Sequence, residues 1–110
     1  MVRYKKLKYD SRIGLEIVGH ASEYSEHEGK NIVCAAISTV CDMVAIGCMQ
    51  YDPSTEVKQD NGYMTITCEI MPETVAIISA AIMELSRIKE NYSYCFEGGN
   101  LDGSKNGNLM

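Results

Sequence analysis

The sequence predicts an α+β fold, a two-layer sandwich in which one β-sheet carries two helices in the order β-β-α-β-β-α-β. Three observations predict it. Two alternating apolar segments open the chain on either side of a short turn. A long apolar run follows and stops at Pro53. A second pair of alternating segments then flanks Asp60-Asn61-Gly62, and a second helical pattern starts at Pro72. Strand pairs separated by helical crossovers need one shared sheet to bury both helices.

Val2 to Tyr9 mixes Val, Tyr and Leu with Lys in rough alternation, a strand with one wet face. Tyr9-Asp10-Ser11 is a turn. Arg12 to Val18 alternates more cleanly and sets Ile13, Leu15 and Ile17 on one face, and Gly19 closes the strand. Ala21 to Lys30 is too polar to pack and reads as a mobile loop. Asn31 is a good N-cap for a helix over Ile32 to Gln50, apolar on most sides and therefore expected to be buried or to meet another subunit. Pro53 ends it.

Thr55 to Gln59 reads as a third strand, and Asn61-Gly62 as a tight hairpin turn with positive φ angles. Met64, Ile66, Cys68 and Ile70 then face one way. Pro72 suits the first helical position, with Glu73 in the first turn and a core stripe of Val75, Ile78, Ile82 and Leu85 running to about Lys89. Asn91 to Phe96 is read as a last strand. Gly98 to Met110, rich in Gly and Asn, is read as a flexible tail.

A length of 110 residues suits one domain with one core. The net charge of −5 gives no general nucleic-acid footprint and favours a basic partner. Cysteines number five and show no CxxC spacing, and there are only two histidines. A disulfide scaffold and a structural zinc site are not expected, and the compartment is read as a reducing cytoplasm. The basic start MVRYKKLKYD lacks a signal-peptide core, and no run is read as approaching a membrane span.

The chemistry concentrates between Gly19 and Ser38. His20 follows a strand, and Cys34 falls at the start of the apolar helix, three residues after its expected cap. Free N–H groups and the helix dipole there favour a thiolate and a developing oxyanion. Ser38 lies one turn on, facing the same way. His20 is the better base because the Gly19 turn exposes it, and His27 in the polar loop is the rival. Asn31, if not spent on capping, is a third group to orient the imidazole. The plainer alternative makes Cys34 the first of a packing stripe, since Cys34, Cys41 and Cys48 repeat every seven residues. Seven helical residues span about 10 Å, too far for a direct disulfide, so a redox switch along this helix is disfavoured.

Gly19-His20-Ala21, followed by Gly29-Lys30-Asn31-Ile32-Val33-Cys34-Ala35-Ala36-Ile37-Ser38, closely resembles the signature of the ribosomal-processing cysteine protease family, Prp. The resemblance covers residues 1–97. It implies an endopeptidase that removes an N-terminal extension from the large-subunit ribosomal protein number twenty-seven, acting as a homodimer without metal or organic cofactor, and with no direct contact to nucleic acid or membrane. Carried over by motif, Cys34 is the nucleophile and His20 the general base, with Ser38 in support. Ala21, Ser22, Glu23, Tyr24, Ser25, Glu26, His27, Glu28, Gly29 and Lys30 form the substrate-gating loop. The family usually carries Asp where this chain has Asn31, which removes a carboxylate near the dyad. That departure motivates the alternative of a catalytically idle dimeric module that binds a ribosomal or phage protein.

Overall fold

In a computed structural model of the chain, residues 1–19 and 28–97 are described, those from 28 to 31 by their backbone alone. Strands β1 (Val2–Lys8) and β2 (Arg12–Gly19) precede helix α1 (Glu28–Tyr51). Strands β3 (Glu56–Asp60) and β4 (Tyr63–Glu69) precede helix α2 (Pro72–Asn91), and a 3₁₀ turn follows at Ser93–Cys95. The sheet order is β1-β2-β4-β3, with every neighbouring pair antiparallel. The expected α+β sandwich and its first six elements are therefore present.

Composition explains which strands are central. The core-facing Ile13, Leu15 and Ile17 of β2 and Ile66 and Cys68 of β4 are all buried, and these two strands pair with each other. The lysine-rich β1 and the charged β3 take the edges, where unpaired backbone meets water. Helix α2 lies against β1 and β2, helix α1 against β4, and the two helices pack side by side. Its core stripe is Thr74, Ile78, Ala81, Leu85 and Ile88, with Val75 and Ile82 only half-buried. Pro72 is the first residue of α2, as expected. The Met71 N–H donates to Thr74 Oγ1 at 3.0 Å and that hydroxyl bonds the Glu69 carbonyl at 2.7 Å, which joins the helix start to the end of β4.

Several expectations need correction. Helix α1 starts at Glu28, so Asn31 is its fourth residue rather than its cap, and Glu28 to Lys30 are helical rather than loop. Glu28 and Lys30 are good helix formers, and a first-turn Glu favours the dipole, which outweighs Gly29. Second, α1 is not buried all round. Val33, Ile37, Cys41, Val44 and Cys48 form one buried face, while Ile32 (59%), Met43 (67%) and Ile46 (58%) are exposed. The segment Ile32–Tyr51, with mean hydropathy 2.1, is also long and apolar enough by length and composition to cross a membrane, contrary to expectation. Its buried stripe is nonetheless part of the domain core. Third, the seventh strand is reduced to one parallel bridge between Val2 and Phe96, because α2 continues to Asn91 and the 3₁₀ turn uses up the chain that follows. Fourth, Ile70 lies beyond β4 and is exposed. The tail from Gly98 falls outside the described residues.

Asp52, just beyond α1, is a buried carboxylate that pattern reading does not reveal. It accepts from the Glu69 N–H at 2.7 Å, the Ser54 N–H at 2.8 Å and the Ser54 hydroxyl at 2.7 Å. Arg12 closes the corner by donating to the carbonyls of Ser54 and Thr67. The Glu69 N–H, then the Ser54 bonds and the Arg12 charge, hold Asp52 below the ordinary carboxylate range despite its burial. A depressed native value means stability that is present above the unfolded value of about 3.9 and is lost as pH falls through the native one. The thermal midpoint is therefore expected to fall as pH drops below about 4. Asp52→Asn should melt lower at neutral pH and show a flatter acid limb, read by circular dichroism melts across pH.

Candidate active site

The antiparallel register gathers one end of every strand beneath the N-terminal half of α1. Tyr4 pairs with Ile17, Ile17 with Met64, and Met64 with Gln59, so these residues form one row across the helix-facing side. Over this end lies a cavity of about 400 Å³, walled by Cys34, Ile37 and Ser38 of α1 and by the β3–β4 hairpin from Gln59 to Met64. The hairpin turn is two residues long. Only Gly62 takes a positive φ (77°), so Asn61 does not adopt the left-handed conformation expected of both residues.

Gly19 sits at the cavity rim with φ 99°, a backbone conformation that side chains rarely adopt. Its N–H donates to the Gly62 carbonyl at 2.8 Å, tying the end of β2 to the hairpin. A Cβ there would sit on the Met1 carbonyl oxygen. Gly19→Ala should cost about 1–3 kcal/mol, measured by urea unfolding, and should disturb the point from which the chain leaves toward His20.

Cys34 is the seventh residue of α1 and is half-buried at the cavity wall. It is thus about two turns in, where its amide belongs to the helical ladder. Dipole and free N–H groups are concentrated in the first turn, so the helix-terminus argument for a thiolate loses its force. Ser38, one turn on and exposed, lines the same cavity, as the spacing required. Cys41 and Cys48 continue the stripe into the core. Burial, helped by the Asp42 charge, pushes the Cys41 thiol up to about 11. Burial and the neighbouring Cys68 push Cys48 up to about 12. Cys68, which donates to the Ile13 carbonyl at 3.7 Å, and Cys95 are buried too. No disulfide joins any of the five. The seven-residue stripe is real; Cys34 and Cys41 both line the cavity, Cys34 half-buried and Cys41 buried.

His20, Ala21, Ser22, Glu23, Tyr24, Ser25, Glu26 and His27 lie outside the described residues. Of Glu28, Gly29, Lys30 and Asn31 only the helical backbone is described. Among the described residues no group of three His, Cys, Asp or Glu side chains converges as a metal would require. What the sequence missed is the hairpin wall. Asn61-Gly62 signals a turn, but which end of which helix it meets depends on the strand order.

A thiol fixed on a helix and opening onto a cavity of this size suits a cysteine hydrolase acting by nucleophilic attack. The model of the family described as cysteine protease Prp matches residues 1–97. The chain belongs to that family. The essential ribosomal processing protease Prp of S. aureus, solved with a covalently linked product peptide, superposes with a TM-score of 0.69 at 19% identity, covering 88% of this chain and 96% of that one. The same protease with a substrate peptide gives 0.69 at 17% over the same shares. SMU.848 from Streptococcus mutans gives 0.64 at 18%, over 88% and 90%. These likenesses establish a shared fold. No curated protein sequence matches the chain.

Proposed function

We propose that this protein is a cysteine endopeptidase with a Cys34–His20 dyad that removes an N-terminal extension from the large-subunit ribosomal protein number twenty-seven. The observation that carries the reading is the position of Cys34, the one cysteine of the helix stripe that is half-buried where the stripe meets the cavity. Cys34 Sγ attacks the scissile carbonyl carbon while its proton passes to His20. The tetrahedral intermediate collapses, the amide C–N bond breaks, and the leaving amine takes that proton. Water, deprotonated by His20, then hydrolyses the thioester and frees the thiol.

Ser38 supports the dyad from the neighbouring turn. Asn31 in place of the family's Asp offers a hydrogen bond without the charge that would stabilise an imidazolium. The segment from Ala21 to Lys30 gates the substrate, its last three residues being the first turn of α1. The exposed Ile32, Met43, Ile46 and Met49 of α1, with Met83 of α2, supply the apolar face for a homodimer. Five thiols without a disulfide suit a reducing cytoplasm. The test is mass spectrometry of the extended precursor peptide incubated with wild type and with Cys34→Ala. One internal cut by wild type alone is expected, and no cut by either would overturn the assigned substrate and favour a binding module.

A further inference from the structure

The two outer strands of the sheet end differently beside the cavity. At this end the edge of β1 is occupied beside Val2 and Arg3. The Val2 carbonyl accepts from the Glu97 N–H at 2.8 Å, Phe96 bridges Val2 in parallel, and Arg3 pairs with Glu97 at 3.0 Å. Strand β3, the other edge, pairs with β4 alone. Because a two-residue turn joins them, Asp60 and Tyr63 form a hydrogen-bonded pair, and the antiparallel pattern alternates from there. Glu56 and Lys58 therefore turn their backbone N–H and C=O toward β4, while Val57 and Gln59 turn theirs outward. No backbone bond from outside the sheet reaches Val57 or Gln59 among the described residues. Gln59 also lines the cavity that holds Cys34, at the end of the Ile17–Met64 row.

We propose that the outer edge of β3 is the substrate-binding edge. An extended peptide adds there as a fifth strand, bonded through the backbone N–H and C=O of Val57 and Gln59, and this pairing carries its scissile bond into the Cys34 cavity. The inference rests on the protease reading. The occupant is a peptide because the unpaired groups are main-chain donors and acceptors in strand geometry, which an extended backbone complements residue by residue. The edge runs directly into the cavity. Its five residues span about 16 Å, room for the bonds of two outward residues. Side chains of the added strand alternate between the helix side, where the cavity reads them, and the open face, where Glu56, Lys58 and Asp60 lie. Recognition is then mostly main-chain, with side-chain selection at every second position.

The experiment uses the full chain carrying Cys34→Ala and a fluorescein-labelled peptide spanning the N-terminal extension of ribosomal protein number twenty-seven, followed by anisotropy. Single N-methylation of successive peptide amides should weaken binding about tenfold at alternate positions and little between them. Gln59→Pro removes an outward N–H that the sheet does not use, a place where an edge strand tolerates proline. It should weaken binding about tenfold with the melting temperature unchanged. A flat methylation profile, or normal binding by a folded Gln59→Pro chain, overturns the edge. The methylation profile needs no variant at position 59, so it decides the matter even if Gln59→Pro fails to fold. Cleavage by wild type is read separately. Cutting with a flat profile leaves the protease and removes the edge, and a peptide neither cut nor bound removes both.

Discussion

Cys34→Ala is expected to abolish peptide cleavage while leaving the fold intact. Removing the attacking sulfur of a covalent mechanism costs far more than any positioning group, so kcat should fall by at least about 10⁴. Stability should change by no more than about 1 kcal/mol, because Cys34 is half-buried at a cavity wall rather than enclosed. Alkylation provides an independent readout. Cys41 and Cys48 are held as protonated thiols, at about 11 and about 12, and Cys68 and Cys95 are shut inside the core. Brief iodoacetamide treatment of the native protein should add one group, on Cys34, and stop cleavage in step with that adduct. Cleavage that survives stoichiometric modification of Cys34 would remove it from the mechanism.

Leu15→Ala should produce the largest loss of stability. Leu15 is on β2, one of the two central strands, 1% exposed, and its register neighbour on β4 is the equally buried Ile66. Truncation removes three buried carbons from the core cluster and leaves a void that a paired central strand cannot close. A cost of about 3–5 kcal/mol follows, a large part of the roughly 5–15 kcal/mol that holds a domain together. The thermal midpoint should drop by roughly 10–25 °C. Ile70→Ala, at a residue of similar chemistry that is 42% exposed, should change stability by about 0.5 kcal/mol or less. Comparable losses at the two positions would mean that β2 is not the centre of the core.

Much of the fold was legible in short patterns. Alternation in Ile13, Leu15 and Ile17, the Asn61-Gly62 turn and Pro72 at a helix start are local signals, and each element formed where they stand. Asn31 is a good cap in isolation, but Glu28 and Lys30 sustain helix just as well, so α1 starts a turn before the cap signal. Asn91 to Phe96 carries strand-forming residues, yet the segment's one β-bridge among the described residues is that of Phe96 to Val2, since the α2 terminus and the 3₁₀ turn take the rest. Nothing local marks Asp52 as a buried carboxylate, because one of the three hydrogen bonds to it comes from the backbone of Glu69, far along the chain at the end of β4.

The candidate site divides in the same way. Cys34 and Ser38 share a helix face because residues four apart must, and the signature around them is a property of the chain alone. That Cys34 is half-buried at a cavity wall, whereas Cys41 lines the same cavity from a buried position and Cys48 lies wholly in the core, was decided only by the tertiary structure. Side-chain periodicity specifies which face of an element is apolar, but not which element covers it or how far along. The order β1-β2-β4-β3 settles that by pairing segments about fifty residues apart, such as Ile17 with Met64, and so sets the hairpin, its open edge and the thiol at one end of the sheet.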